Sequence, residues 1–310
     1  MEQNQFAVNG NLLKRSGAAI LDFIVFTLVS LFLISSAIGP FYDSQYDTSS
    51  LSEQFTTYQT ASYLYAEDES SGQVLFVANE AIPDAIYQYY SEFKNGKVYL
   101  EETEPFIFSD TWYNETILKI NEEGTFFELI EGDTTVRAVE RSNLSEDEQG
   151  LLATFYTNAF NDALADLATY EPYVTLAQQI NQFFLEILAI AASISLLIFY
   201  FLIPLLLKEG RTLGKLALGL SVVNKDGYYL AWWQHLLRFM AFTATLVLGI
   251  YTILGSILIS YTFMIFTKNY RSLHDFVALT RVVDRKQSLL FHREEQLLDY
   301  KASLDTSTTS

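Results

Sequence analysis

The chain has 310 residues, half of them apolar, a mean hydropathy of +0.16 and a formal net charge of −18. It contains no cysteine, which excludes disulfides and thiolate metal sites. So mild a hydropathy excludes a chain immersed in lipid throughout, and so acidic a balance disfavours nucleic acid as a partner.

Lys14 and Arg15 precede a first apolar run, residues 16–39, whose single charge is Asp22. At ~1.5 Å per residue the run is long enough for the ~30 Å core of a bilayer. An ionisable group there costs about 2.5–3.5 kcal/mol on insertion scales, so Asp22 is a candidate for function. It follows Arg15 by two helical turns and shares its helix face. A cleaved signal peptide is the competing reading, with Ser35 and Ala37 as small residues near the cut. The acid inside the run and the run's length argue against it.

Residues 40–182 hold 26 Asp/Glu against 5 Lys/Arg, whereas the rest of the chain holds 11 against 14. Long acidic segments go outside and short basic flanks stay in the cytoplasm, so the N-terminus reads as inside and the acidic block as outside. Roughly 140 residues suffice for a core of their own. The block reads as α+β: strands at 73–78, 97–100, 125–130 and 135–139, and a helix at 80–94 ending at Asn95-Gly96. Glu122-Glu123-Gly124 and Glu131-Gly132-Asp133 read as turns. Ser145 and Glu148 form a capping box that opens a helix to about Ala168. Glu171-Pro172 starts another, with nothing to break it before Pro204. Tyr58, Tyr63, Tyr65, Tyr87, Tyr89, Tyr90, Tyr99 and Tyr113 are either core residues or a stacking surface. Asn114 and Asn143 stand in glycosylation sequons, a pattern common by chance.

A second apolar run spans 183–207, with Glu186 near its outer end, and a third, 239–266, has no charge. The loop between them, 208–235, carries Lys208, Arg211, Lys215 and Lys225 and reads as cytoplasmic. Its Gly210-Arg211-Thr212-Leu213-Gly214-Lys215 is not a phosphate loop, because one residue is missing between the glycines and Leu216 follows the lysine. Gly210, Gly214 and Gly219 read instead as packing glycines. Trp232 and Trp233 suit an interfacial belt. Residues 236–267 form either a third crossing or a hairpin bending near 249–255. The tail, 268–310, is basic at Lys268, Arg271, Arg281, Arg285 and Lys286, which places it inside and favours the hairpin. A short echo between 220–224 and 279–284, both β-prone, points to two strands that pair in one compartment. His235, His274 and His292 have no metal-ligand spacing, no nucleophile motif is present, and no cofactor is implied. The chain does not read as an enzyme.

Three ordered segments carry a family resemblance. They are Arg15-Ser16-Gly17-Ala18-Ala19-Ile20-Leu21-Asp22; Gly210 to Lys215 running on to Asp226-Gly227; and Arg271-Ser272-Leu273-His274-Asp275 running on to Val283. Together they resemble the RDD family of bacterial membrane proteins, named for one arginine and two aspartates, which fall on Arg15, Asp22 and Asp275. The resemblance covers 12–39 and 183–284. Typical members have a short loop where this chain has its acidic block, so the family says nothing of that block. The resemblance implies an α-helical integral membrane protein, an RDD-like helix bundle, here with an inserted α+β extracytoplasmic domain. It implies a multi-pass protein of the bacterial cytoplasmic membrane.

Some members have been linked to sodium/proton antiport. On that footing Asp22 and Asp275 are candidates for cation/proton exchange or other solute transport. Proton and cation compete for one carboxylate, and His274 assists as a group that ordinarily titrates near neutrality. The alternative is a non-transporting, membrane-anchored binding or assembly protein in which the Arg/Asp trio is structural. Expected partners are membrane lipid, a monovalent cation and proton, and a second copy or another surface protein.

Overall fold

The computed structural model describes residues 3–95, 106–131, 136–207, 209–252, 254–267 and 269–308. The expected strand at 97–100, Gly96, the turn residues Gly132 and Asp133, and the cations Lys208 and Lys268 lie outside them. In chain order the elements are α1 (Leu12–Tyr46), α2 (Thr48–Ala61), β1 (Tyr65–Glu67), β2 (Val74–Phe76), α3 (Ile82–Gln88), β3 (Phe127–Glu131), β4 (Val136–Glu140), α4 (Glu146–Leu167) and α5 (Glu171–Leu206). There follow α6 (Leu213–Ala217), β5 (Leu220–Asn224), α7 (Trp232–Tyr251), α8 (Gly255–Phe266), α9 (Leu273–Val277), β6 (Thr280–Asp284) and α10 (Glu294–Thr308). Two compact units result: an inserted unit, Tyr42–Leu185, and a split unit made of Met1–Phe41 and Glu186–Ser310.

The inserted unit has its own core, built from Leu64, Ile86, Tyr89, Phe93, Phe160 and Leu167 among others. Its strands form two separate antiparallel hairpins, with Tyr65 opposite Phe76 and Leu129 opposite Ala138. The strand at 73–78 is trimmed to three residues because its partner β1 is only that long. The capping box is formed: Glu148 N donates to Ser145 Oγ at 3.3 Å, and Ser145 N donates to Glu148 Oε2 at 2.8 Å. Leu152, Phe160, Ala163 and Leu167 make the buried stripe of α4. Tyr89, Tyr90 and Tyr113 are buried, with Tyr58 and Tyr65 packed against that core. The tyrosines are thus mainly core. Asn114 is buried as well, so its sequon is not displayed.

The helix at 80–94 starts in a 3₁₀ turn and ends in a π turn, Tyr89–Lys94. Helix α2 was not foreseen, being polar with no fully buried residue; Phe55 and Tyr58 hold it by ring contacts with Tyr173 and Tyr170.

In the split unit, α6–β5 and α9–β6 have the same construction. Arg211-Thr212-Leu213 opens the first and Arg271-Ser272-Leu273 the second. Each short helix runs into a residue of positive φ, Gly219 (67°) and Leu279 (53°), and then into a strand. The strands pair antiparallel, with Val222 opposite Val282 and Leu220 opposite Asp284. Val222 and Val282 therefore sit on a local two-fold axis. The flanking bonds obey it: Lys225 N donates to Leu279 O at 2.8 Å, and Arg285 N to Gly219 O at 2.9 Å. The echo in the sequence is one strand pair, with Leu220 equivalent to Thr280, one residue on from Leu279. Burial on both faces explains the valine pairs in both strands.

The N-terminal residues join this layer. Gly10 N donates to Val282 O (3.1 Å), Asp284 N to Val8 O (2.9 Å) and Asn4 Nδ2 to Leu289 O (2.9 Å). N-terminus, loop and tail thus form one body. The third apolar run is two helices: α7 ends at Tyr251, Leu254 takes a positive φ of 68°, and α8 begins at Gly255. Ser256 Oγ donates to Thr245 O at 2.6 Å across the hairpin. α10 lies in the expected polar tail, a helix that its polar composition masks.

Candidate functional site

α1 brings two charges of opposite sign to one stripe. Arg15 sits in its first turn, and Asp22 two turns on. Both are buried, as is Asp275, whose side chain is 0% exposed. Each meets a different half of the repeat.

Arg15 meets α9. Its Nη2 donates to Asp275 Oδ2 at 2.9 Å, and its Nη1 donates to the carbonyl of Tyr270. Asp275 is enclosed by donors: Ser272 Oγ at 2.7 Å on Oδ2, and Arg238 Nη2 at 2.8 Å and Thr280 Oγ1 at 3.1 Å on Oδ1. Burial would push this carboxyl up, but Arg238 and Arg15 outweigh it and hold the group well below the usual carboxylate range. Arg271 braces the backbone from behind, with Nη2 to Asp275 O and Nε to Thr280 O.

Asp22 meets α6 instead. Gly214 N donates to Oδ1 at 2.7 Å, Thr212 Oγ1 donates to Oδ2, and Lys215 Nζ stands 3.8 Å away. The carboxylate thus caps the start of α6 from another helix, satisfying a backbone donor that has no partner within its own helix. Gly214 makes this approach possible: a Cβ there would lie 2.2 Å from Ala18 O and 3.0 Å from Asp22 Cγ. Gly210 combines crowding by Leu230 with a φ of 62°. Gly219 corrects the expectation of a packing glycine, since a Cβ would have room there and the positive φ is what favours glycine.

Lys215 and Asp275 are equivalent positions of the repeat. α1 carries the complement of each, Asp22 and Arg15. Burial, with Arg238 nearby, pulls Lys215 down to about 8, against the opposing pull of Asp22 and Asp275. Burial likewise lowers His274 to about 3, with Asp275 opposing. A group lowered that far does not titrate near neutrality, where the sequence reading places it. The imidazole touches Ser272 Oγ at 3.0 Å and Arg238 Nη2 at 3.4 Å.

Arg15, Asp22, His274 and Asp275 all line one cavity of about 610 Å³. They do so as two clusters rather than one triad, since Asp22 bonds α6 and not Arg15. Sequence reasoning missed Arg238 and Lys215 as members. Both were visible as cations flanking the third run and the second, where a buried acid needs a counter-charge.

Residues 151–279 match the model of the RDD family, a family of membrane proteins. The matched span contains His274 and Asp275; Arg15 and Asp22 lie outside it. It starts within α4 and stops short of β6. No curated protein and no solved structure matches the chain.

Proposed function

From an RDD-family region at residues 151–279, we propose a multi-pass protein of the bacterial cytoplasmic membrane in which Arg15, Asp22 and Asp275 fasten α1 to the paired repeats and do not exchange ions. One observation carries the reading: all four oxygens of the two carboxylates already accept from internal donors. A cation entering at Asp275 would have to strip two guanidinium groups, and one entering at Asp22 a backbone N–H and a hydroxyl. The cluster also holds three cations, Arg15, Lys215 and Arg238, against two acids.

α1 and α5 are long and apolar enough to cross a membrane. The N-terminal segment, the loop strand and the tail strand share one layer, and Lys14, Arg211 and Lys225 favour its placement in the cytoplasm. The acidic residues 40–182 are then outside. The hairpin is re-entrant in this reading. Helix α8 has 12 residues, ~18 Å at ~1.5 Å each, which falls short of a crossing. Trp232 and Trp233 are exposed at the start of α7, as an interfacial belt requires. The chain is not an enzyme here, and its lipid-facing helices and outer unit are its binding surfaces.

Cation-driven dissipation of ΔpH in everted vesicles tests the reading. Wild type and Asp22→Asn should both match protein-free vesicles. A cation-dependent signal that Asp22→Asn abolishes would replace it with the second reading, exchange at Asp22. The observation in favour of exchange is the 3.8 Å gap to Lys215, which leaves that acid's counter-cation displaceable.

A further inference from the structure

The 610 Å³ cavity has two unlike ends. One is charged, formed by Arg15, Asp22, Lys215, Arg238 and Asp275. The other is apolar: Leu246 lies eight residues beyond Arg238 along α7, ~12 Å at ~1.5 Å each, and Ile257 faces Gly249 across the hairpin. Its size lies within the ~300–1,000 Å³ of small-molecule sites.

The charged end does not balance. Asp275 is matched by Arg15 and Arg238 together, and Asp22 faces Lys215. With His274 neutral through burial, one positive charge is left over. Arg238 is where donors remain to spare. Its Nη2 is engaged by Asp275 and His274, and among the described residues its Nε and Nη1 have no internal acceptor. Ser16 Oγ, on the same lining, is buried without a partner. Uncompensated charge in a low-dielectric site is costly, and unsatisfied donors add to the cost.

We propose that this cavity binds an amphipathic anion, a carboxylate or phosphate carrying an apolar chain, with the head group on Arg238, Lys215 and Ser16 and one chain along Phe242, Leu246 and Ile257. The proposal rests on the reading that Asp22 and Asp275 are already committed to internal partners. The anion supplies the missing negative charge, and the apolar wall excludes small inorganic anions as the preferred ligand. Such a head group could come from a free fatty acid or from a membrane phospholipid.

Equilibrium binding of radiolabelled palmitate to the full chain in a non-ionic detergent tests it. Saturable binding is expected, competed by hexadecyl phosphate but not by hexadecanol or hexadecyltrimethylammonium. Competition by phosphatidylglycerol would assign the bilayer as the source, and its failure would assign a free single-chain anion. Arg238→Gln should weaken binding by about tenfold or more. Because that variant also loses a partner of Asp275, Leu246→Trp serves as the second variant; it fills the apolar end and should weaken palmitate equally without lowering the ligand-free melting temperature. Absence of saturable binding, equal competition by the cationic or neutral chain, or an unchanged affinity in Leu246→Trp would overturn the proposal. The assay has no ion gradient, so its failure leaves the fastening role of the acids standing, while exchange in vesicles would remove that role.

Discussion

The two halves of the repeat share a backbone and differ in how firmly they hold α1. At α9 the acid belongs to the repeat and the cation to α1, and Asp275 has four side-chain donors around it. At α6 the signs are reversed, the cation stands off at 3.8 Å, and a backbone N–H with one hydroxyl does the holding. Equivalent positions thus yield a saturated ion-pair network on one side and a helix cap with a loose counter-ion on the other. Local two-fold geometry does not imply equal energetics; the donor count at each carboxylate decides.

Substitutions can break that comparison, and Asp275→Ala should have the largest effect. It strands two buried guanidinium groups, and loss of one partner of a buried pair costs about 3–5 kcal/mol. A melt in detergent should show collapse of the split unit, whereas an unshifted melt would mean that the network contributes nothing. Acid comes next. His274 sits at about 3 in the folded protein against 6.5 when free. The unfolded state therefore binds the proton more readily, and stability is lost as pH falls from about 6.5 toward 3. His274→Gln should flatten that acid limb in melts taken at successive pH values.

Gly214→Ala should cost roughly 1–3 kcal/mol, as overpacking does, because its Cβ would meet the Ala18 carbonyl. The same melt measures it, and a neutral result would show that α1 can draw back. The smallest effect belongs to Lys215→Gln, which should be close to neutral: the ion pair is long at 3.8 Å, burial already disfavours the ammonium, and the variant removes one of three cations set against two acids. If it matched Asp275→Ala, the two halves would be energetically equal after all.

The apolar runs, the Ser145 cap, the strands at 74–76, 127–131 and 136–140, and the α1 acid were legible because each has a local signature in length, period or isolation. The repeat was legible only at its strands. Its helices diverge in the very residues that matter, Gly214 against His274 and Lys215 against Asp275, so matching residue types conceals the equivalence. Pairing of Asp22 with α6 was not legible, because a backbone donor leaves no mark on sequence. Helix α2 escaped for another reason. Thr and Ser fill it, residues that compete with the helix for backbone bonds, and aromatic contacts with Tyr170 and Tyr173 anchor it.

The Arg15–Asp275 bond joins residues 260 apart, and this has a consequence for biosynthesis. Helix α1 leaves the ribosome 260 residues ahead of Asp275, and its guanidinium finds its carboxylate only once that residue emerges. At ~5–20 residues per second the interval is at least ~13 s. During it Arg15 lacks its final partner, and the β6 edge that Gly10 and Val8 will occupy does not exist. Chains cut short before Asp275 would carry an orphaned charge at the end of α1.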